Sequence, residues 1–244
     1  MTVNTMTTNT MLEKQSNTPH NIQSLLYGTQ NTHLHWLTDN IAIHHEVSSS
    51  FLAMQDAALT DNIVLHIASG WRSFERQLHL WNNKFSGQTA IKNSQGEIID
   101  SSILTDIEKT NAILLYSALP GASRHHWGTD IDVYAPNLLP KNQALQLEPW
   151  EYQTSGPMAA LSSWLTKHSQ EFGFYLPYNK FRGGIASEPW HLSYFSLAST
   201  FQQQFNITDL QRLLSVSQIQ GKQAIIDNIE SIYTKFIINI NQPI

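Results

Sequence analysis

The sequence contains no cysteine, which excludes disulfide bonds, thiolate metal sites and cysteine nucleophiles. No run approaches the ~18 apolar residues of a membrane span, and the opening residues 1–21 have neither the basic start nor the apolar middle of an export signal. Charged residues are only 14% of the chain, the net charge is -5, and no Lys/Arg cluster offers a surface to nucleic acid or to anionic membranes. We therefore expect a cytoplasmic protein, or a periplasmic one if a signal was removed, with small or peptidic partners and an oligomeric state that composition leaves open.

The chain is long and hydrophobic enough to form one substantial domain, since it has 244 residues of which 41% are hydrophobic. Residues 1–20 are polar and without periodicity, which predicts a flexible N-terminal arm. Residues 21–195 form the main domain. Residues 196–244 carry apolar positions at helical spacing and are predicted to form a C-terminal helical extension packed on that domain.

The most informative stretch runs from Ser123 to Asp132 and holds two imidazoles, two carboxylates and a glycine within ten residues. A catalytic zinc takes three ligands of His, Asp or Glu type and keeps a fourth position for water, so this stretch is interpreted as part of a zinc site. Glu188-Pro-Trp-His191 offers a further ligand and a carboxylate that need not be one. Such a pairing suits metal-assisted hydrolysis, in which a free carboxylate takes the proton of water.

Local patterns place these groups on strands. The alternation of residues 130–134 predicts a strand with Asp130 and Asp132 on one face and apolar residues on the other. A strand over residues 185–195 would put Glu188 and His191 on opposite faces, so one common site requires a bend, which Pro189 favours.

Arg72 follows a β-branched apolar run, residues 63–68, that predicts a buried strand, and it precedes a helix capped by Ser73. Catalytic groups are commonly presented at such strand ends. The alternative is a surface arginine paired with Glu75 or Glu46.

Other patterns concern the scaffold. We predict a hairpin tip at residues 93–96, a capping box at Thr105 and Glu108, and two helices in the tail, the first capped by Thr208 or Asp209 and the second beginning after Gly221. His33 and His35 are interpreted as partly exposed strand residues, because no carboxylate lies beside them at ligand spacing.

Three motifs occur in order along the chain: Ser-Gly-Trp-Arg-Ser at 69–73 with Gln77, Ser-x-His-x-x-Gly-x-x-x-Asp at 123–132, and Glu-Pro-Trp-His at 188–191. Together they resemble the motifs of the VanY-type D-alanyl-D-alanine carboxypeptidases and related dipeptidases. The resemblance covers about residues 46–194. It implies an α+β fold, a small antiparallel sheet flanked by helices with the zinc site at the sheet. Two departures are Trp71, where the family usually has Tyr, and Asp130, where it usually has a small residue.

The resemblance also implies roles for particular residues. Zinc would be held by His125, Asp132 and His191. The neighbouring His126 would lie outside the ligand set, either packed behind the ligands or exposed. The catalytic residues implied are Glu188 as base and Arg72, which would steady the oxyanion or the substrate. Ser123, Gln77 and Trp190 are expected to contact the substrate. Asp130 is expected either to tune the metal or to repel an anionic substrate terminus.

Three functions are consistent with these motifs. The first is a zinc carboxypeptidase acting near a D-amino acid of cell-wall peptides, with a peptide or muropeptide as substrate. The second is an endopeptidase on peptidoglycan crosslinks or other peptides. The third is a metal-binding module without turnover, which Glu188 and Arg72 argue against, since a structural zinc needs neither a free base nor an oxyanion partner.

Overall fold

The computed structural model of the protein describes residues 22–242, so the expected arm over residues 1–20 lies outside the described part. The helices are α1 (Ile22–Leu26), α2 (Ser48–Thr60), α3 (Phe74–Phe85), α4 (Asp106–Leu114), α5 (Ala159–His168), α6 (Phe195–Gln204), α7 (Ile207–Val216), α8 (Lys222–Asp227) and α9 (Ile229–Ile232), which continues as a π-helical turn, Tyr233–Ile237. No helix among these residues is long and apolar enough to cross a membrane.

The strands form three antiparallel sheets. They are β1 (Leu34–Thr38), β2 (Ile41–His44), β3 (His66–Ser69), β4 (Ile91–Lys92), β5 (Ile98–Ile99), β6 (Asp130–Tyr134), β7 (Phe174–Tyr175) and β8 (His191–Tyr194). The central sheet has the order β3-β6-β8-β7, and β1-β2 and β4-β5 are separate hairpins. The predicted α+β class with a small antiparallel sheet is confirmed.

The central sheet has one apolar and one polar face because its strands alternate. Ile131, Val133 and Leu192 have no exposed surface and pack in a core with residues of α2 and α5. Asp130, Asp132 and the side chain of His191 lie on the other face, where they contact one another. The alternation predicted for residues 130–134 is thus confirmed, and it separates the core from the site.

Several local predictions are confirmed. Ser73 caps α3 by accepting a hydrogen bond from the Arg76 N–H, and Thr105 and Glu108 form the capping box of α4. Residues 93–96 form the tip of the β4-β5 hairpin. These features depend on contacts within a few residues, which sequence patterns report directly.

Other predictions are wrong. The strand expected over residues 63–68 begins only at His66, and the strand expected over residues 185–195 is limited to β8, because the chain before it forms a loop. The tail forms four helices, not two, and Asn206 caps α7 in place of Thr208 or Asp209. Gly221 does separate α7 from α8, with a φ of 72° that favours glycine.

The C-terminal helices pack on α3 and α4 through a second apolar cluster, which includes Trp81, Ile113, Leu210 and Ile225. The Trp81 indole also donates a hydrogen bond to the Gln220 carbonyl. The helices after β8 therefore cover the side of α3 that carries the buried aromatic residues.

Candidate metal and catalytic site

Strand register brings the ligands together. Asp132 on β6 lies directly opposite His191 on β8 and opposite Ser69 at the end of β3. His125 belongs to a 3-10 turn, Arg124–Trp127, that ends at Gly128 with a φ of 69° and leads into β6. A side chain at Gly128 would meet the His44 backbone nitrogen at 2.8 Å, so the close approach of two chain segments requires glycine there.

His125, Asp132 and His191 form a buried group whose ligand atoms all lie within 4.8 Å of one another. His125 Nε2 is 3.3 Å from Asp132 Oδ2, and His191 Nδ1 is 3.2 Å from Asp132 Oδ1. The two imidazole rings meet edge to face, with centroids 4.9 Å apart. These are residues of the type and number that hold a catalytic zinc.

The far nitrogen of each ring is held by an acceptor. His125 Nδ1 lies 2.9 Å from the Gly70 carbonyl oxygen, to which it donates, and His191 Nε2 lies 3.0 Å from Asp130 Oδ1. A hydrogen on each far nitrogen leaves the lone pair of the other nitrogen facing Asp132. Metal-binding histidines are oriented in this way in proteins.

Asp130 is the central residue of the polar network behind His191. It has no exposed surface, and it accepts hydrogen bonds from Arg124 Nε at 2.7 Å, Thr129 Oγ1 at 2.8 Å and Ser193 Oγ at 3.1 Å. Burial by itself raises the pKa of Asp130, but the Arg124 guanidinium and His191 outweigh it and hold the pKa well below its usual range. Because this charge is buried and paired, the geometry favours the alternative in which Asp130 tunes the metal site over the one in which it repels a substrate terminus.

The group fits a divalent cation. Asp132 Oδ1 is buried and accepts no well-aligned hydrogen bond from residues 22–242, which leaves a carboxylate oxygen free for a metal. Burial by itself lowers the pKa of His191, but the carboxylates of Asp130, Asp132 and Glu188 outweigh it and raise this pKa well above its usual value. The surroundings of His191 thus favour positive charge, which a metal ion also supplies.

Glu188 reaches the group from a turn and not from a strand. The His191 N–H donates to the Glu188 carbonyl, and the Glu188 N–H donates to the Tyr178 carbonyl. This turn supplies the bend expected at Pro189 and places Glu188 Oε2 3.2 Å from His191 Nδ1. The Glu188 side chain keeps 19% of its surface exposed, whereas that of His191 keeps 4%.

Arg72 leaves β3 at the edge of the site. Nη1 donates to Gln77 Oε1 at 2.8 Å and Nη2 donates to Ser69 Oγ at 3.0 Å. These are the contacts of Arg72, and neither Glu75 nor Glu46 pairs with it among the ion pairs of residues 22–242. Gln77 has no exposed surface and donates to the Ala118 carbonyl, so its expected place as a substrate contact is corrected to a position behind Arg72.

His126 is a structural residue. Its ring is buried, Nδ1 donates to the Arg72 carbonyl at 2.6 Å, and Nε2 accepts from the Gly121 N–H at 3.0 Å. The Arg72 N–H in turn donates to the His125 carbonyl. His126 therefore joins the turn that carries Arg72 to the loop that carries His125, and it is not exposed.

Two cavities that share lining residues adjoin this group. The inner cavity, about 180 Å³, is lined by the three potential ligands, Ser123, Arg72 and Glu188 among others. The outer cavity, about 280 Å³, is lined by Trp190, Ile91 and Leu147 among others. Glu188 lines both cavities, and so do Lys84 and Tyr116. Ser123 thus faces the inner cavity and Trp190 the outer one.

Sequence reasoning assigned no role to Arg124, although it lies inside the most informative stretch. Arg124 is 4% exposed, and besides Asp130 it donates to Ser193 Oγ and to Gln202 Oε1, each at 2.7 Å. Gln202 belongs to α6, so the helices after β8 contribute to the network behind His191. The one available signal was an arginine six residues before the unusual Asp130.

The sequence pattern of the VanY family, described as D-alanyl-D-alanine carboxypeptidase, matches residues 40–197. An uncharacterised protein of Haemophilus influenzae is 39% identical over 122 residues, which cover 49% of this chain and 93% of that protein.

Two solved structures share the fold. VanYB in complex with D-alanine-D-alanine has a TM-score of 0.50 and 21% identity, covering 78% of this chain and 91% of its own. The LD-carboxypeptidase LdcB has a TM-score of 0.51 and 20% identity, covering 76% and 84%.

Proposed function

Because the chain belongs to the VanY family of D-alanyl-D-alanine carboxypeptidases, we propose that it is a zinc-dependent carboxypeptidase that removes the terminal residue from cell-wall peptides ending in a D-amino acid. One observation carries the proposal. The buried group His125, Asp132 and His191 has beside it a carboxylate, Glu188, that remains partly exposed to the cavity. Three ligands with a separate base are the arrangement of a hydrolytic zinc site.

His125, Asp132 and His191 would hold the zinc ion. When bound, zinc supplies Lewis acidity, which polarises a carbonyl group and lowers the pKa of water. Glu188 takes the proton of the attacking water and passes it to the leaving amine, because it lies beside the ligands and can exchange protons with the cavity.

Arg72 is proposed to stabilise the oxyanion that forms on the scissile carbonyl. Its guanidinium uses one N–H of each terminal nitrogen for Gln77 and Ser69, and each nitrogen has a second N–H. A donor fixed in advance by Gln77 and Ser69 loses little on reaction, which is the condition for effective oxyanion stabilisation.

The sizes of the cavities support removal of one terminal residue. The inner cavity of about 180 Å³ contains the ligands, Arg72 and Glu188, so a small leaving residue occupies it beside Ser123. The outer cavity of about 280 Å³ continues past Trp190 and has room for the rest of the peptide.

The test is hydrolysis of a muropeptide panel by zinc-loaded wild type and Glu188→Gln, followed by mass spectrometry. Wild type should release a single terminal D-alanine from a pentapeptide, and Glu188→Gln should bind zinc equally but turn over ~10²–10⁴-fold more slowly, the usual contribution of a general base. Cleavage of crosslinked dimers with no terminal release would favour the endopeptidase. Full zinc occupancy without any cleavage would favour the non-catalytic module.

A further inference from the structure

Lys84 is a cation that lies where the two cavities share their lining. It lies in the last turn of α3 and lines both the inner and the outer cavity. Within residues 22–242 its ammonium group takes part in none of the hydrogen bonds or ion pairs. The neighbouring Lys92, in contrast, pairs with Glu148. A half-buried ammonium without an anion is unfavourable unless a ligand supplies one.

The charges around the inner cavity leave room for an anion. Arg72 and Lys84 balance Asp132 and Glu188, which line the same cavity, while Arg124 is neutralised by Asp130. A divalent metal at the ligand group therefore makes the cavity positive. Burial lowers the pKa of Lys84 and the charge of Arg72 lowers it further, while Glu188 opposes this shift without cancelling it. An entering anion would therefore relieve the repulsion between Lys84 and Arg72.

The two cations are placed for different tasks. Arg72 is fixed by Gln77 and Ser69 beside the ligand group, where the scissile carbonyl must lie. Lys84 has no such contacts within residues 22–242 and is free to turn toward a charged group of the leaving residue in the inner cavity. A carboxylate is the anion that a terminal peptide residue carries one residue away from its scissile bond.

We propose that Lys84 is a specificity-determining residue that binds the free carboxylate of the substrate's terminal residue, which leaves Arg72 to act on the scissile carbonyl. This inference rests on the proposed carboxypeptidase function. It assigns the restriction to free peptide ends to a residue outside the three sequence motifs.

The experiment combines changes in protein and peptide. Lys84→Met removes the charge and keeps an unbranched side chain. Lys167→Met on α5, which lines neither cavity, is the matched control. Each zinc-loaded protein is assayed with an N-acetylated Lys-D-Ala-D-Ala peptide as the free acid and as the terminal amide. We expect Lys84→Met to lower kcat/KM for the acid by ~10–100-fold through KM, the usual loss for a charge-assisted hydrogen bond, and to leave the amide almost unchanged.

Calorimetric binding of the same two peptides to Glu188→Gln, with and without Lys84→Met, gives a measurement that needs no turnover. The acid should bind ~10–100-fold more weakly when Lys84 is replaced. Equal losses for acid and amide, or no loss for the acid, would overturn the assignment. If wild type holds zinc and cleaves neither peptide, the carboxypeptidase function fails, and the binding comparison still decides whether Lys84 recognises a carboxylate.

Discussion

The group formed by His125, His191 and Asp132 and a second cluster formed by His33, His44 and His45 both bring imidazole rings into close contact. The ring centroids are 4.9 Å apart for His125 and His191. In the second cluster they are 5.4 Å apart for His33 and His44, and 4.6 Å apart for His44 and His45. His44, His45 and Glu46 even place ligand-type atoms within 4.8 Å of one another, as the first group does. Proximity alone therefore does not distinguish the two clusters.

What differs is the direction of the lone pairs. In the first group an acceptor behind each ring, the Gly70 carbonyl or Asp130, leaves the inward nitrogen free. In the second cluster His45 Nδ1 does donate to the His33 carbonyl at 2.9 Å. His44 Nδ1, however, already accepts the Glu46 N–H, the rings of His44 and His45 are stacked, and neither ring nitrogen of His33 has a hydrogen-bond partner among residues 22–242. The comparison teaches that an acceptor behind every ring, more than the number of histidines, prepares a metal site.

The largest expected effect separates the two clusters directly. His191→Ala should lose zinc after dialysis and with it all measurable hydrolysis, because one of three ligands is removed. His45→Ala should keep one zinc per chain and wild-type activity. Elemental analysis of both variants checks this. Zinc retained by His191→Ala and lost by His45→Ala would reverse the assignment of the two clusters.

The second prediction removes an acceptor from behind a ring. Asp130→Ala should weaken zinc binding by ~10–100-fold, the usual effect of losing such a partner. It should also destabilise the fold by roughly 3–5 kcal/mol, because the Arg124 charge is left buried and unpaired. Competition with a chelating dye and denaturant unfolding measure the two effects.

A double variant separates these effects. Asp130→Ala with Arg124→Met removes both buried charges and should recover most of the stability, since apolar replacements of buried ion pairs are often neutral. It should not recover zinc affinity, because His191 Nε2 still lacks its acceptor. Zinc affinity that returns together with stability would show that Asp130 acts only through the fold.

The parts predicted from the sequence are those encoded within a few residues. The caps at Ser73 and Thr105 and the alternation of residues 130–134 depend on neighbours along the chain. The ten-residue stretch and the turn at Glu188 could be found because the side chains of a metal site are chemically distinctive. Their roles at the site remain predictions until the variants above are measured.

The rest depends on pairings between distant segments, which no local pattern contains. Arg124 donates a hydrogen bond to Asp130, which is near it in the sequence, but also to Gln202 on α6, which is 78 residues further along the chain. The buried Gln77 donates a hydrogen bond to the Ala118 carbonyl. The residues next to Gln77 in the sequence do not indicate this contact. The sequence predicts a partly exposed His33, but His33 is only 7% exposed and lines a cavity together with residues of α1 and α6.

The smallest expected effect concerns the second cluster and tests whether burial keeps His33 and His44 neutral. Burial, with the neighbouring charges of His44 and His45, lowers the pKa of His33 from 6.5 to about 4. Burial likewise lowers the pKa of His44 to about 4, where His45 adds to the effect and Glu46 opposes it. Between pH 6.5 and 4 the unfolded chain therefore binds more protons than the folded protein, and the free energy of unfolding should fall as the pH is lowered through this range.

His33→Leu should remove one of the groups that bind a proton in the unfolded chain but not in the folded protein. In chelator-treated protein, its unfolding free energy should fall less steeply than that of wild type between pH 6.5 and 4, by up to about 1.4 kcal/mol per pH unit, the value for one proton. Little stability should be lost at pH 7, because both nitrogens of His33 lack partners and replacement leaves no acceptor unsatisfied. Denaturant unfolding across this pH range measures both. Parallel pH profiles for variant and wild type would mean that His33 takes up its proton equally in the folded and unfolded states, and burial would then not be what keeps His33 neutral.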